Sequence, residues 1–140
     1  MEWKEALPLL QENHTAVAVS VSPKGRGQAT VVSSAVFEGK VGFASRGRTV
    51  KVKNIERTGR AAVTVIKIEN RRYVTVEGPA SIEGFNDSPA YLKRLRDFYT
   101  AMGRAPKGTD EEFARQMHEE QRTLVLVTPE RIYGSLRSGA

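Results

Sequence analysis

Residues 40–65, KVGFASRGRTVKVKNIERTGRAAVTV, predict a strand, a basic turn, a short helix and a second strand, in that order. The first strand covers 41–45, the helix begins at Thr49 and ends near Gly59, and the second strand begins at Ala61. Backbone N–H groups in the first turn of a helix lack partners inside the helix, and their dipoles favour an anion. A threonine at the start of the helix adds a hydroxyl at the cap.

Positive charge is concentrated around the start of this helix. The basic side chains within about one helical turn of it are Arg46, Arg48, Lys51 and Lys53. This pattern predicts a phosphate-binding site. A solvent-exposed basic turn before an ordinary capped helix gives the same pattern and is the commoner origin of such charge runs. The residues alone therefore leave both interpretations open.

The composition narrows the class of protein. A chain of 140 residues with 39% hydrophobic content is expected to form one domain, residues 1–140, with its own core. It has no apolar run long enough to cross a bilayer, and its acidic N-terminal segment does not resemble a signal peptide, so a cytoplasmic protein is expected. The lack of cysteine excludes disulfides, thiolate metal sites and a cysteine nucleophile.

The net charge of +6 indicates an anionic partner. A nucleic acid, a phosphorylated cofactor and a polyacid all satisfy this requirement, and charge alone does not choose among them.

Hydrophobic periodicity predicts a mainly β protein with helices. An amphipathic helix is expected over 2–12, with Pro8 ending or kinking it. Two further helices are expected, one capped by Asp87 or Ser88 and one by Thr109 with Glu112. The predicted strands are 15–21, 28–37, 40–45, 60–68, 71–82 and 122–128. About six strands, mostly joined by hairpins, predict an antiparallel barrel with peripheral helices.

No catalytic residue can be named from the sequence. His14 and His118 are far apart and have no neighbouring ligand pattern, so no metal site is expected. Ser33 and Ser34 lack a recognisable base, which leaves little support for a serine hydrolase. A glycine pair with dinucleotide-binding spacing falls in a hairpin turn instead of between a strand and a helix. An enzyme of this kind would depend on a bound cofactor for its chemistry.

Four blocks, in this order, resemble the pyridoxamine 5′-phosphate oxidase-like superfamily of FMN/F420-binding split-barrel proteins. They are GRGQATVVSSAVFEGKVGFAS, TVKVKNIERTGRAAVTV, RRYVTVEGPASI and RTLVLVTPERIYG. The second block carries the signature-like residues Thr49, Lys51, Asn54, Ile55, Arg60 and Ala61. The chain most resembles the small F420-dependent oxidoreductases, which have a short helical insertion before the final strand. Val50 stands where the oxidases proper carry arginine, which argues against FMN bound in the oxidase manner.

The resemblance implies a six-stranded antiparallel split β-barrel, also called the FMN-binding split barrel, that forms a homodimer with cofactor sites at the interface. It implies coenzyme F420 as cofactor, with FMN as the alternative, and hydride transfer to or from a planar conjugated small molecule. The resemblance implies that Thr49 and Lys51 bind the cofactor phosphate, together with Arg46 or Lys53, and that Arg48 binds an anionic tail. It implies that Thr30, Val31 and Val32 lie along the ring, with Gln28 and Ser45 beside it. Tyr73 or Tyr133 would close the site from either subunit.

Three alternatives to an F420-dependent reductase remain at this point. One is an FMN-dependent oxidoreductase of the same fold, and another is a cofactor carrier without turnover. The third is a nucleic-acid-binding barrel. The predicted strands show no evident aromatic and basic surface, which argues against this alternative. The role of loop 103–108, as a lid or as a simple connector, is also left open.

Overall fold

The computed structural model describes residues 1–137, which form seven strands and four α-helices. In chain order these are α1 Trp3–Glu12, β1 Thr15–Val21, β2 Gly27–Phe37, β3 Lys40–Ser45, α2 Val50–Thr58, β4 Arg60–Lys67, β5 Arg72–Glu83, α3 Pro89–Ala101, α4 Asp110–Glu120, β6 Thr123–Val127 and β7 Arg131–Ser135. A short 3-10 turn, Ile68–Asn70, joins β4 to β5. No helix within the described part of the chain is long and apolar enough to span a membrane.

Six strands close a barrel in the order β1–β2–β3–β6–β5–β4, with β4 pairing back to β1. All of these pairings are antiparallel, so the predicted six-stranded antiparallel split β-barrel is confirmed. The sequence analysis missed β7, which pairs with β5 beside β6. Its five residues include a glycine and are only partly buried, so its hydrophobic alternation is weak.

Two long strands change partners along their length. β2 pairs with β1 over residues 27–33 and with β3 only over 34–37. β5 pairs with β4 over 72–79 and with β6 over 80–83. Because β3 begins to pair only at Ser34, the described residues supply no strand along the second edge of 27–33. This free edge forms one side of a cavity that also involves the start of α2 and the end of α3.

Gly78 and Pro79 lie where β5 changes partner from β4 to β6. A Cβ atom at Gly78 would come within 2.0 Å of the Thr128 carbonyl oxygen, so only glycine allows this close approach. The carbonyl of the next residue, Pro79, accepts a hydrogen bond from the Thr128 N–H at 2.8 Å. This crossing fixes the turn between β6 and β7 against the barrel.

The predicted caps of α3 and α4 are confirmed, and a tight turn joins β2 to β3. Glu38 and Gly39 form the hairpin turn between β2 and β3 with φ of 54° and 73°. Ser88 caps α3 through its side chain, and Thr109 with Glu112 forms a capping box at α4.

Pro8 was predicted to end or kink the first helix. It does not end the helix, because α1 continues through Pro8 to Glu12. Proline removes one backbone hydrogen bond inside a helix. The turn that follows it is held by tertiary packing, since Leu9 and Leu10 are both buried in the core.

The chain has two hydrophobic clusters. One fills the barrel and is closed by α1 and α2; among its buried members are Leu10, Phe43, Val52, Ile55, Val63, Val65, Val74 and Val125. The other packs α3 and α4 against the outer face of β3 and β6, and its buried members include Leu95, Phe98, Phe113, Met117, Leu124 and Leu126. The helical insertion therefore adds a second layer outside the barrel, and its packing brings α3 to the edge of the cavity.

Candidate functional site

A cavity of about 440 Å³ lies between the free edge of β2, the start of α2 and the end of α3. This volume is in the range of small-molecule binding sites. The residues that line it are Thr15, Val31, Val32, Ser33, Ala44, Ser45, Arg46, Thr49, Lys51, Tyr99, Met102, Arg104 and Arg122. These described residues contribute four basic side chains and no carboxylate to the lining, so the cavity favours an anionic ligand.

The structure brings many of the predicted cofactor-binding residues together in this cavity. They are Val31, Val32, Ser45, Arg46, Thr49 and Lys51. Two others from β2 lie outside it: Thr30 is a partly buried residue of the same strand, and the Gln28 amide oxygen lies 3.4 Å from both the Ser20 hydroxyl and the Asn54 amide nitrogen behind α2.

Two predicted basic residues also lie outside the lining. The Arg48 guanidinium forms an ion pair with Glu56 at 2.9 Å, and Lys53 lies on the exposed side of α2. The predicted tyrosines, Tyr73 and Tyr133, lie on neighbouring strands β5 and β7, away from this cavity in the same chain. Their contribution to a site from a second subunit stays a prediction.

The start of α2 leaves its first amide groups open. Thr49 is the N-cap residue, as predicted, but its hydroxyl makes no capping hydrogen bond. Its Oγ1 atom lies 3.1 Å from the Ser45 Oγ atom instead. The sequence does not reveal this, because a threonine at the cap position can turn its hydroxyl either way. The two hydroxyls and the uncapped N–H groups together form an anion-binding arrangement at the cavity wall.

Lys51 is a half-buried cation on the second residue of α2. Burial lowers the pKa of its ammonium group, and the nearby Arg122 charge lowers it further. Within residues 1–137 no carboxylate forms an ion pair with Lys51 to offset these effects. A desolvated cation beside another cation gains most from an anionic ligand, which would restore the lost solvation through charge-assisted hydrogen bonds.

Arg122 and Arg46 share one carboxylate at the rim. The Glu120 side chain accepts a hydrogen bond from Arg122 Nε at 2.7 Å and lies 3.6 Å from Arg46. Burial alone would raise the pKa of Glu120, but hydrogen bonds from Arg122 and Gln116, together with the charges of Arg122 and Arg46, outweigh this effect and lower it. Arg122 also donates to the Ala44 carbonyl at 2.9 Å. These contacts hold the Arg122 guanidinium at the cavity wall.

The sequence analysis missed the walls that come from the helical insertion. Arg104 follows α3 and donates from its guanidinium to the Ser33 hydroxyl on β2 at 3.2 Å. Tyr99 lines the cavity from α3, and burial raises the pKa of its phenol, which is protonated at neutral pH even at its ordinary pKa. The basic character of Arg104 and Arg122 was visible in the sequence, but no local spacing connects them to β2.

The free edge of β2 suits a planar heterocyclic ligand. An edge strand presents unpaired backbone N–H and C=O groups in one plane. Ser33 adds little bulk beside this edge, and Val31, two residues before it on the strand, is 73% exposed. The cavity therefore combines a hydrogen-bonding edge for a flat ring system with a basic end for a phosphate.

Comparisons with solved structures agree with this fold. A conserved hypothetical protein of Mycobacterium tuberculosis is 20% identical, with a TM-score of 0.74 over 96% of this chain and 84% of that chain. An F420 reductase is 22% identical, with a TM-score of 0.65 over 90% of this chain and 94% of that chain. The heme storage protein HutZ of Vibrio cholerae is 14% identical, with a TM-score of 0.67 over 93% and 92%. At these identities the likeness shows the fold alone.

No curated protein matches the chain. The family model described as pyridoxamine 5′-phosphate oxidase matches residues 3–135. This span contains all seven strands and every residue that lines the cavity. The chain therefore belongs to the pyridoxamine 5′-phosphate oxidase family.

Proposed function

We propose that this chain is an F420-dependent oxidoreductase that binds the deazaflavin in the cavity beside β2 and reduces a planar, conjugated small molecule. The family includes oxidoreductases and binds flavin or F420 cofactors, and one structural neighbour is an F420 reductase. The observation that carries the proposal is the half-buried Lys51, which has no carboxylate partner in residues 1–137 and lies beside the Ser45 and Thr49 hydroxyls.

The residues fit the two ends of such a cofactor. Lys51, Ser45 and Thr49 would hold the phosphate, together with the open N–H groups of α2. Residues 31–33 would offer backbone groups of the free strand edge to the ring. A cofactor that carries further carboxylates would find Arg46 at the rim of the same cavity.

The chemistry that a reduced deazaflavin would supply here is a hydride, and the acceptor would gain this hydride together with a proton from water while the deazaflavin would be oxidised. This chain's own part is to bind, to orient and to exclude water. Arg104 covers the cavity from the helical insertion while bonded to Ser33. Tyr99 presents a protonated phenol at the same wall.

The choice between deazaflavin and flavin is the finer part of the proposal. Val50, which follows the cap residue of α2, is 58% exposed and supplies no cation at a position where the oxidases proper carry arginine. The phosphate of FMN would therefore lack one contact with a cation. A deazaflavin would lack the same contact, but its additional carboxylates could bind cations elsewhere on the basic rim. We expect F420 to bind more tightly than FMN.

We also propose that the chain acts as a homodimer whose second subunit closes the cavity. Val31, which lines the cavity on β2, is 73% exposed, and two further large side chains are exposed on β5 and β7, with Tyr73 37% and Tyr133 39% exposed. Exposed apolar surface of this kind is typical of an interaction face. Light scattering after size exclusion should give twice the mass of the 15.5 kDa chain.

Titration of the purified protein with F420 and separately with FMN, followed by fluorescence at low and moderate salt, tests the proposal. We expect F420 to bind with a Kd of about 1 µM or tighter. Tighter binding of FMN would transfer the chemistry to a flavin on the same site. Binding of F420 without reduction of any acceptor would favour a carrier, and binding of neither cofactor would contradict the proposal.

The remaining alternative, a nucleic-acid-binding barrel, would bind single strands with a steep dependence on salt. Heme storage, the role named for one structural neighbour, has no support at this cavity, since its described lining residues include no histidine that could ligate iron.

A further inference from the structure

A second cavity, of about 660 Å³, lies between α3, α4 and the loop that joins them. The sequence analysis did not predict it, and the proposed cofactor site does not include it. The residues that line it are Tyr99, Gly103, Arg104, Ala105, Pro106, Lys107, Phe113, Gln116, Met117, Glu120 and Arg122.

The second cavity adjoins the first. Tyr99, Arg104 and Arg122 line both of them. Arg104 is fixed between the two, because its guanidinium donates to the Ser33 hydroxyl on β2 and its backbone N–H donates to the Tyr99 carbonyl at 2.9 Å. A ligand of the second cavity would therefore lie next to a ring bound along β2.

The floor of the second cavity is aromatic and apolar. Phe113 is 5% exposed and Met117 is 2% exposed, so both are fixed by the packing of α3 against α4. The Tyr99 and Phe113 rings pack edge to face with centroids 6.1 Å apart. Such a rigid surface suits the face or the edge of a flat aromatic ligand.

The rim of the second cavity has an excess of positive charge. Arg104, Lys107 and Arg122 contribute cations, and the carboxylate among the described lining residues, Glu120, is already bonded to Arg122 at 2.7 Å. Arg46 lies 3.6 Å from the same carboxylate. The charge that Glu120 offers is thus shared by two guanidinium groups, and the remaining positive charge favours an anionic group on the ligand.

We infer that this cavity binds the acceptor, and that the acceptor is an aromatic molecule carrying a carboxylate or a similar anionic group. The inference rests on the proposed function, since it takes the first cavity as the cofactor site. The apolar floor would hold the rings, while Lys107 and Arg104 at the rim would hold the anion. Loop 103–108 is in this arrangement a wall of the acceptor site.

The test uses 2-naphthoate and its neutral isostere 2-naphthamide as probes, because they differ in charge but hardly in shape. Calorimetric titration of the full chain, with and without saturating F420, should show naphthoate binding at least about fivefold more tightly than naphthamide. The naphthoate affinity should persist when F420 is bound, since the two cavities are separate.

Three variants locate the probe. Lys107→Gln should weaken naphthoate binding about threefold and leave naphthamide unchanged, as expected for the loss of one exposed charge contact. Gln116→Trp should fill the cavity and weaken both probes more than tenfold. Arg115→Gln, next to it on α4 but outside the lining, is the matched control and should change neither.

Displacement of naphthoate by F420 would overturn the inference, because it would put the probe in the first cavity. Equal affinity for naphthoate and naphthamide would refute the inference that the acceptor carries an anionic group. Absence of binding of either probe, with or without cofactor, would refute the second cavity as a binding site. Failure of F420 and FMN to bind is measured in a separate titration, so failure of the proposed function is distinguishable from failure of this inference.

Discussion

Replacement of Lys51 by methionine should separate ligand binding from stability. Methionine keeps the length of the side chain and removes the charge. A hydrogen bond to a charged group contributes about 1.5–3 kcal/mol, so the loss of this contact should weaken F420 binding by roughly 10- to 150-fold. We expect a loss toward the upper end, because the ammonium is half-buried and has no protein carboxylate that could compensate within residues 1–137.

The same change should not destabilise the free protein. The pKa of Lys51 is lowered in the folded state, which means that folding disfavours its charged form. At neutral pH, below both the folded and the unfolded pKa, this cost is fully present; it disappears as the pH rises above the folded and then the unfolded pKa. Lys51→Met removes the cost, so the Tm at pH 7 should stay the same or rise slightly, the gain being limited by the partial exposure of the side chain.

Fluorescence titration gives the Kd of each variant, and thermal denaturation without ligand gives the Tm. Lys53→Met is the matched control, since Lys53 is exposed on the same helix and does not line the cavity. It should bind F420 within about twofold of the unmodified chain, as expected for an exposed charge. Unchanged affinity in Lys51→Met, or an equal loss in both variants, would refute the assignment of Lys51 to the phosphate.

Three further predictions concern the scaffold of the site. Gly78→Ala should destabilise the fold by about 2 kcal/mol or more, because its Cβ would meet a backbone oxygen at 2.0 Å; urea denaturation measures this, and Gly84→Ala, with open space around it, should cost far less. Tyr91→Phe should cost about 1–3 kcal/mol by leaving the buried Leu124 N–H without its 3.2 Å acceptor. Burial raises the pKa of Tyr91 from its ordinary value of about 10 to about 12, so absorbance titration should find this phenol still largely protonated at pH 10, and its stabilising contribution should be lost progressively as the pH rises from about 10 through about 12. Arg94→Met should lower the Tm at pH 7 by breaking ion pairs of 2.7 Å and 3.0 Å with two carboxylates. Because Arg94 holds the pKa of Glu38 below its usual range, this difference should shrink as acid protonates the Glu38 carboxylate; a difference independent of pH would contradict it.

Arg94 illustrates how the helical insertion is fixed to the barrel. It lies on α3 and bridges Glu38, in the turn between β2 and β3, to Glu83 at the end of β5. Hydrogen bonds from Arg94 lower the pKa of Glu38, although burial opposes this. The three elements come from distant parts of the chain, and these ion pairs fix the position of α3 relative to the barrel and the cavity.

The amino-acid sequence by itself determined the local elements of this protein. Alternation of β-branched residues marks the barrel strands, and the positive-φ turn at Glu38 and Gly39 fixes the register of β2 with β3. The segment from Ser45 to Lys51 likewise brings two hydroxyls, the start of α2 and a lysine together because these residues are close in sequence, although the orientation of the Thr49 hydroxyl was not evident from it. These features depend on interactions between residues that are close in sequence.

Tertiary structure alone decided the rest of the site. Ser33 and Arg104 are 71 residues apart, and their contact follows from the packing of α3 and α4 on the outer face of β3 and β6. β7 likewise forms because β5 offers an edge beside β6, and its own pattern is too weak to predict it. Long-range register and helix packing arise from the sum of many weak contacts, which no local spacing encodes, so the second cavity became visible only in the folded chain.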